Sequence, residues 1–449
     1  MTSQWWCEHA WLGGDRVAEG VLVTVSDGVI AAIEPDTAPG AGQRLGGLVL
    51  PGLANAHSHA FHRALRSRTQ RDRGSFWTWR QLMYRAAAEL TPDLYRYLAR
   101  AVYTEMALAG ITAVGEFHYL HHDTGGTPYA DPNEMGHALV AAAHDAGIRL
   151  TLLDTCYLTA GVDGSPLAVG PQRRFGDGDG ERWVQRVEAL HRDAAADDHV
   201  LIGAAIHSVR AVPVAAMGPV VDWATAAGAP LHVHSSEQTA EVEQCLAVHG
   251  RTPTALLRDH GVLGPRTTAV HATHLTDTDV ADLRDSGTGV CFCPTTERDL
   301  GDGVGPAPEL LSGPGSFSLG SDSHAVIDLF EEARAVELDE RLVRRERGIL
   351  AAARLLESAT GDGHRALGWA DAGDLRVGAR ADLVAVDLTS VRTAGGGASV
   401  ENVVFAATAA DVTDVVVDGR VVVADRRHGL VAEPGRALAE AISAVLGSR

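Results

Sequence analysis

The chain has 449 residues, 45% of them hydrophobic and 21% charged, a length that fits one large α/β barrel with an accessory domain. Its formal net charge is −20, and all 38 basic residues are arginines that form no basic cluster, so we expect neither nucleic acid nor an anionic membrane as a partner. The sequence has no signal-peptide pattern and no run near the roughly 18 apolar residues of a membrane span, so we expect a cytoplasmic protein.

The first fifty residues predict short β-strands at 21–25, 29–33 and 48–50, separated by turn residues. From residue 51 onward, short apolar runs alternate with amphipathic helices such as 93–109 and 133–146, each followed by the glycine that favours a helix end. Because parallel strands need long crossover connections, this alternation over 51–367 predicts an α/β fold of the (β/α)8 TIM-barrel type, with a doubly wound open sheet as the alternative. The eight runs lie at 53–56, 112–114, 150–153, 201–206, 231–233, 268–270, 290–292 and 317–319.

β-strand patterns return after residue 368. The segment 382–386 is apolar, and the segments 415–417 and 421–423 flank an Asp418-Gly419 pair that predicts a hairpin. Neither chain end has enough apolar surface to fold alone. We therefore expect residues 1–50 and 368–449 to form one small β-sandwich domain, with a helix at the C-terminus.

The five cysteines are scattered along the chain, and two of them form a C-x-C pair rather than the C-x-x-C of zinc ribbons or redox pairs. We expect buried, reduced thiols. The cysteines are Cys7, Cys156, Cys245, Cys291 and Cys293.

Metal-binding residue types follow several of the barrel runs. His57 and His59 come after the first run, and residues two apart on an extended segment point the same way. His234 ends the fifth run, His271 follows the sixth and Asp322 follows the eighth, and the C-terminal ends of barrel strands meet at one mouth. Three imidazoles and a carboxylate suit zinc. His271 could be a ligand or a proton carrier, and its spacing leaves both open.

A zinc hydrolase also needs a group that moves protons to the leaving group. Glu237 lies three residues after His234, within reach of such a site; its structural alternative is a surface glutamate at the start of a helix over 238–248. Because the chain has no lysine, a carboxylated lysine cannot bridge two metals. This favours a mononuclear site, with two ions bridged by a carboxylate as the alternative.

At these residues the sequence resembles the deaminase branch of the amidohydrolase superfamily. Within that branch, the narrower segments at 75–80, 116–123 and 207–212 resemble deiminases that hydrolyse N-formimidoyl-L-glutamate to N-formyl-L-glutamate and ammonia in histidine degradation. The resemblance covers essentially the whole chain. Its segments are PGLANAHSHAF at 51–61, SFWTWR at 75–80, EFHYLHHD at 116–123, HSVRAV at 207–212, HSSEQT at 234–239, CPTTE at 293–297 and GSDSH at 320–324.

The resemblance implies one zinc ion per subunit. It implies His57, His59, His234 and Asp322 as its ligands. It also implies that Glu237 and His271 lie beside the reacting carbon. We expect Asp322 to orient the attacking water and accept its proton, and Glu237 to protonate the departing nitrogen.

The resemblance further implies a small-molecule dicarboxylate substrate bound by Arg80, Tyr119, His207 and Arg210. The chain departs from the family at His62, where glutamine is usual, and this position is a further candidate substrate contact. We expect the segment that carries Arg80, with Trp77 and Trp79, to act as a lid. Two arginines match two carboxylates because their guanidinium groups donate paired hydrogen bonds.

Several alternatives remain open. Another deaminase or a chlorohydrolase of the same superfamily would act on a purine, pterin or triazine ring, which need not bring two carboxylates. A non-catalytic barrel scaffold would have lost its metal ligands. We expect a homodimer. The remaining histidines of the barrel mouth should be structural groups rather than a second metal site: His118, His121, His122, His274 and His324.

Overall fold

The computed structural model describes residues 2–40, 42–70 and 76–447, the side chains of 76–78 excepted. Its sixteen strands form two sheets of eight strands each. They are β1 (Thr2–Trp11), β2 (Val17–Ser26), β3 (Val29–Glu34), β4 (Gln43–Pro51), β5 (Leu53–Ser58), β6 (Ile111–His118), β7 (Arg149–Cys156), β8 (Val200–Ile206), β9 (Leu231–Ser235), β10 (Thr267–His271), β11 (Gly289–Phe292), β12 (Phe317–Leu319), β13 (Leu383–Val386), β14 (Val412–Val417), β15 (Arg420–Ala424) and β16 (Arg427–His428).

Strands β5 to β12 form a parallel barrel, in which each strand pairs with its neighbours in chain order. Strands β6 and β7 are buried at every residue, as expected of strands covered by helices on one side and by the barrel core on the other. The predicted TIM-type barrel is confirmed, and each of the eight apolar runs overlaps one barrel strand.

A short seam between β5 and β12 closes the barrel. Ser58 and Asp322 form a parallel bridge pair there. The backbone N–H of Asp322 donates to the carbonyl of His57 at 3.0 Å, and the N–H of His59 donates to the carbonyl of Asp322 at 3.3 Å. The seam therefore passes directly through predicted metal ligands.

Helices fill the connections between barrel strands, and their ends follow from local sequence. Thr91 caps the helix Pro92–Leu108 by accepting the N–H of Leu94, and Gly147 ends the helix Glu134–Ala146 with a φ of 73°, which glycine adopts without strain. The helices are α1 (Phe76–Glu89), α2 (Pro92–Leu108), α3 (Glu134–Ala146), α4 (Gly180–Ala194), α5 (Val214–Ala227), α6 (Thr239–His249), α7 (Pro253–Asp259), α8 (Asp277–Ser286), α9 (Pro294–Leu300), α10 (Ala307–Leu311), α11 (Leu329–Arg344), α12 (Ala352–Ala359), α13 (Gly361–Ala366), α14 (Val400–Ala406) and α15 (Pro434–Leu446).

The two chain ends come together in one β-structured unit, as predicted for the β-sandwich, and its strands form a second, mixed β-sheet. Its strand order is β16-β15-β14-β13-β4-β1-β2-β3, so hydrogen bonds connect all eight strands in one continuous sheet. The antiparallel pairing of β4 with β13 joins the N-terminal strands to the C-terminal ones. Strand β1 lies near the middle of this sheet but was not predicted from the sequence.

A buried charge cluster joins the barrel to the second sheet. The guanidinium group of Arg149, the first residue of β7, contacts the carboxylate of Asp382 and donates to Asp418 Oδ1 at 3.1 Å. Asp382 also accepts the backbone N–H of Asp418 at 3.0 Å. We call Arg149, Asp382 and Asp418 the junction cluster. The Arg149 and Asp382 side chains are 0% and 1% exposed, so removing either charge would leave the other buried without its partner.

All five cysteines are buried and outside disulfides, as expected. None of the described helices combines the length and apolar character that a bilayer crossing needs.

Candidate metal centre and active site

Four side chains predicted as metal ligands lie together at the C-terminal mouth of the barrel. His57 and His59 come from the end of β5, His234 from β9, and Asp322 from the turn after β12. His57 Nε2 lies 3.1 Å from His234 Nε2 and 3.2 Å from Asp322 Oδ1, which is itself 3.3 Å from His59 Nε2. One ligand atom from each residue lies within 4.8 Å of the others, and all four residues are buried.

Second hydrogen bonds orient two of these imidazoles. His59 Nδ1 lies 2.9 Å from the carbonyl of Phe117, and His234 Nδ1 lies 2.8 Å from the carbonyl of His207. A carbonyl can only accept, so each Nδ1 carries the proton and each Nε2 lone pair faces the centre of the cluster.

The protonation of the cluster also suits a cation. Burial lowers the pKa of His57 to about 3 and lowers the pKa of His59, so both rings are neutral at pH 7. Burial alone would raise the pKa of Asp322, but its hydrogen bond with His57 and the surrounding imidazoles hold that pKa below the ordinary value. Neutral imidazoles and an ionised carboxylate are the forms that bind a metal, and this donor set fits zinc.

Several residues at the same mouth have a strained backbone conformation. Asp322 has a φ of 41°, His271 a φ of 70° and Ser236 a φ of 55°, values that are uncommon for residues other than glycine. Such conformations persist where the surrounding structure enforces them, and they cluster at functional sites. Here they turn the chain sharply at the strand ends, so simple strand alternation does not set the directions of these side chains.

Glu237 and His271 lie beside the metal-binding cluster. Glu237 Oε1 is 3.9 Å from His271 Nε2, and Arg210 donates to Glu237 Oε2 at 3.2 Å. Burial alone would lower the pKa of His271, but the carboxylates of Glu237, Glu297 and Asp322 outweigh burial and raise the pKa to about 10. This part of the mouth therefore combines a buried acid with a basic imidazole.

A cavity opens beside these groups. His62 Nε2 lies 2.8 Å from the Tyr119 hydroxyl, and Arg80 Nε donates to the Tyr84 hydroxyl at 2.6 Å. Trp79 packs edge-on against the His62 ring, whereas the side chain of Trp77 lies outside the described residues. The cavity lining includes all five residues predicted to contact substrate: His62, Arg80, Tyr119, His207 and Arg210.

Sequence reasoning missed three buried carboxylates in this region. Glu297 lies 3.3 Å from His271 Nδ1, and Glu241 accepts the backbone N–H of Glu237 at 3.3 Å. The Asp302 carboxyl, next to Glu237, has its pKa raised to about 8, chiefly by burial and then by that neighbouring charge. For Glu297 a signal was available, since it ends the CPTTE segment, but the segment alone does not indicate a contact with His271.

The histidines predicted to be structural are hydrogen-bonded or packed in the mouth. His118, His121 and Asp154 lie close enough to hold a metal, but the Arg186 guanidinium donates to both oxygens of Asp154, at 2.7 and 2.8 Å. A second cation beside that arginine would be repelled, which favours the structural role. His324 lies 2.9 Å from the Ser321 hydroxyl. His122 pairs with Asp177, and the backbone N–H of His274 donates to the Ser236 carbonyl.

The sequence model of the amidohydrolase family matches residues 48–422, so the chain belongs to the amidohydrolase family. Together with the buried histidine–aspartate cluster, this membership defines a metal-dependent hydrolase.

The chain is also similar to three individual proteins. The chain is 40% identical to the formimidoylglutamate deiminase of Pseudomonas aeruginosa over 436 residues, which cover 94% of each chain. A crystal structure of an amidohydrolase from Brucella melitensis matches with a TM-score of 0.91 and 36% identity, covering 99% of this chain and 100% of that one. A crystal structure of an adenosine deaminase from Xanthomonas campestris with bound zinc matches with a TM-score of 0.84 and 25% identity, covering 98% and 97%.

Proposed function

We propose that this metal-dependent hydrolase is a zinc enzyme that converts N-formimidoyl-L-glutamate and water to N-formyl-L-glutamate and ammonia, a step of histidine degradation. The observation that carries the proposal is the presence of Arg80 and Arg210 in the wall of the cavity beside the metal-binding cluster. The similarity to the Pseudomonas deiminase supports the same substrate. We further propose one zinc ion per subunit, a homodimer and a cytoplasmic location.

The proposed substrate brings two carboxylates and one formamidine group. Arg80 and Arg210 would each bind a carboxylate, and Tyr119, His207 and His62 would contact the rest of the molecule. In the structure, Arg210 instead donates to Glu237. A substrate carboxylate would therefore compete with Glu237 for Arg210. Binding of the diacid would in this way remove a positive charge from beside Glu237, the proposed catalytic acid.

The chemistry follows from groups around the cluster. Bound zinc would act as a Lewis acid that lowers the pKa of water toward about 7. Asp322 would take up the proton that water loses as it attacks the formimidoyl carbon, and His271 would stabilise the negative charge that develops. Glu237 would then protonate the nitrogen that leaves as ammonia.

An ammonia-release assay tests the proposed substrate directly. Zinc-loaded protein is incubated with N-formimidoyl-L-glutamate, guanine, adenosine and a triazine, and ammonia is measured with time. We expect release from the dicarboxylate alone. Release from a ring substrate in its place would favour the alternative deaminase or chlorohydrolase, for which the similarity to a zinc-bound adenosine deaminase gives some support.

Metal analysis tests the proposed ligand set. We expect the dialysed protein to contain about one zinc per chain and the His234→Ala variant to lose it, because a four-ligand site loses one nitrogen donor. Inductively coupled plasma mass spectrometry measures the zinc content. The control is His232→Gln, on the same strand, since His232 Nε2 lies 2.9 Å from the Ala366 carbonyl, outside the cluster. Equal zinc loss in both variants would contradict the assignment.

Substitution of Arg210 tests its contact with a substrate carboxylate. A hydrogen bond to a charged group contributes about 1.5–3 kcal/mol, so Arg210→Met should lower kcat/KM for the diacid about 10- to 150-fold. Steady-state kinetics are measured for formimidoylglutamate and for formimidoylglycine, which has a single carboxylate. Arg251→Met, in an exposed pair with Asp259, is the control. A kcat/KM that Arg210→Met leaves unchanged for the diacid would remove Arg210 from the binding site.

A further inference from the structure

Glu297 is a buried carboxylate next to the proposed active site. It lies in α9, directly after β11, and is 5% exposed. Its Oε1 atom accepts the backbone N–H of Cys293 at 2.9 Å and lies 3.3 Å from His271 Nδ1. Because two groups from different strand ends share this oxygen, the carboxylate is fixed in place as it meets the His271 ring.

The other nitrogen of His271 faces the reaction region. His271 Nε2 lies 3.9 Å from Glu237, and both residues line the cavity. Burial alone would lower the pKa of His271, but the surrounding carboxylates raise it to about 10, so both ring nitrogens carry a proton at pH 7. With an acceptor at Nδ1, the ring is held so that its Nε2–H is directed at Glu237 and the cavity.

We propose that Glu297 is a positioning residue, which accepts the Nδ1–H of His271 and so holds the ring with Nε2 toward the reacting carbon. Its effect on turnover rests on the proposed function, whereas the hydrogen bond itself does not. Since burial raises the pKa of Glu297, keeping an ionised carboxylate here costs free energy, and its contacts with His271 and Cys293 offset that cost.

Glu332 provides a matched control in the same region. It is equally buried and accepts the backbone N–H of Thr295 at 2.9 Å, in the first turn of α9. None of the hydrogen bonds of Glu332 in the described residues reaches His271. Its substitution therefore disturbs the same helix without changing the His271 ring.

The test compares Glu297→Met, Glu297→Gln and Glu332→Gln with the unsubstituted zinc-loaded protein. Loss of the partner that orients a metal-ligating histidine typically costs about 10- to 100-fold. We expect a loss of the same order at His271, so Glu297→Met should lower kcat about 10- to 100-fold with KM and zinc content nearly unchanged. Glu297→Gln keeps an oxygen for both N–H donors and should restore most of the turnover. Glu332→Gln should keep kcat.

Proton NMR of protein with ¹⁵N-labelled histidine supplies a readout that needs no turnover. We expect one hydrogen-bonded Nδ1–H resonance that His271→Gln removes, that Glu297→Met also removes, and that Glu332→Gln retains. Absence of this resonance from the unsubstituted protein would overturn the proposal even if Glu297→Met failed to fold. So would a folded Glu297→Met variant with unchanged kcat. A protein that shows the resonance but releases no ammonia from formimidoylglutamate would refute the proposed function and leave the Glu297–His271 contact standing.

Discussion

Glu237→Gln should lower kcat for the proposed substrate by about 10²–10⁴-fold, the usual contribution of a general acid or base. Glu237 is 5% exposed and lies 3.9 Å from His271 Nε2, at the edge of the metal-binding cluster. Glutamine preserves the size of the side chain and can still accept from Arg210, but it cannot donate a proton to a leaving nitrogen. Steady-state ammonia release and zinc analysis of the same preparation measure the effect.

Glu243→Gln is the control for this substitution, because Glu243 lies on α6 just beyond Glu237 and is exposed to solvent. It should keep both kcat and zinc content. If Glu237→Gln turned over the substrate at the normal rate, the proton would have to come from another group. If it lost zinc instead, Glu237 would support the metal site, and its proposed catalytic role would lack evidence.

Arg149→Leu should destabilise the fold by about 3–5 kcal/mol, the cost of leaving one member of a buried ion pair without its partner. The substitution would leave Asp382 buried at the junction between the barrel and the second sheet, with the nearby Asp418 carboxylate deprived of the same arginine. The midpoint of urea denaturation, followed by circular dichroism, measures the loss.

The control for the junction is Arg426→Leu. Arg426 pairs with Asp387 at 2.7 Å, but the two side chains are 47% and 20% exposed, so the loss should stay below about 1 kcal/mol. Similar midpoints for the two variants would contradict a structural role for the junction cluster.

The contribution of the junction cluster to the free energy of unfolding should also depend on pH. Burial alone would raise the pKa of Asp382, but Arg149 outweighs it and lowers the pKa. A carboxyl with a lowered pKa in the folded state contributes its full stability above its unfolded pKa, near 4, and loses it as the pH falls through the folded value. The difference in denaturation midpoint between the unsubstituted protein and Arg149→Leu should therefore shrink in acid.

The barrel could be predicted from sequence because its strands are short, apolar and separated by capped helices. Strand β1 could not, because its sequence is neither a continuous apolar run nor an alternating one: Trp5, Trp6 and Cys7 are buried in succession, and the polar residues Glu8 and His9 follow them. That pattern reflects a strand covered on both faces, and its neighbours β2 and β4 come from later parts of the chain. The pairing of β1 with these two strands depends on tertiary contacts, which a local sequence pattern does not predict.

The metal-binding cluster was predictable for a related reason. His57, His59, His234 and Asp322 all follow barrel strands, and parallel strand ends converge. His232 and His234 show the limit of this reasoning, since both occupy the same strand two residues apart, yet His232 reaches the Ala366 carbonyl instead. The contact between Glu297 and His271 depends on the direction of α9 after β11, which the sequence leaves undetermined.

The barrel seam has a consequence for any attempt to redesign this enzyme. Ser58 and Asp322 form the bridge pair that joins the first barrel strand to the last, and the backbone of His57 and His59 completes it. The same few peptide groups therefore determine both the positions of the metal-ligand residues and the closure of the barrel. An insertion or deletion at this position, made to change the metal-binding geometry, would also shift the register between β5 and β12. Residues of α1 that line the cavity can be changed without affecting the pairing of these two strands.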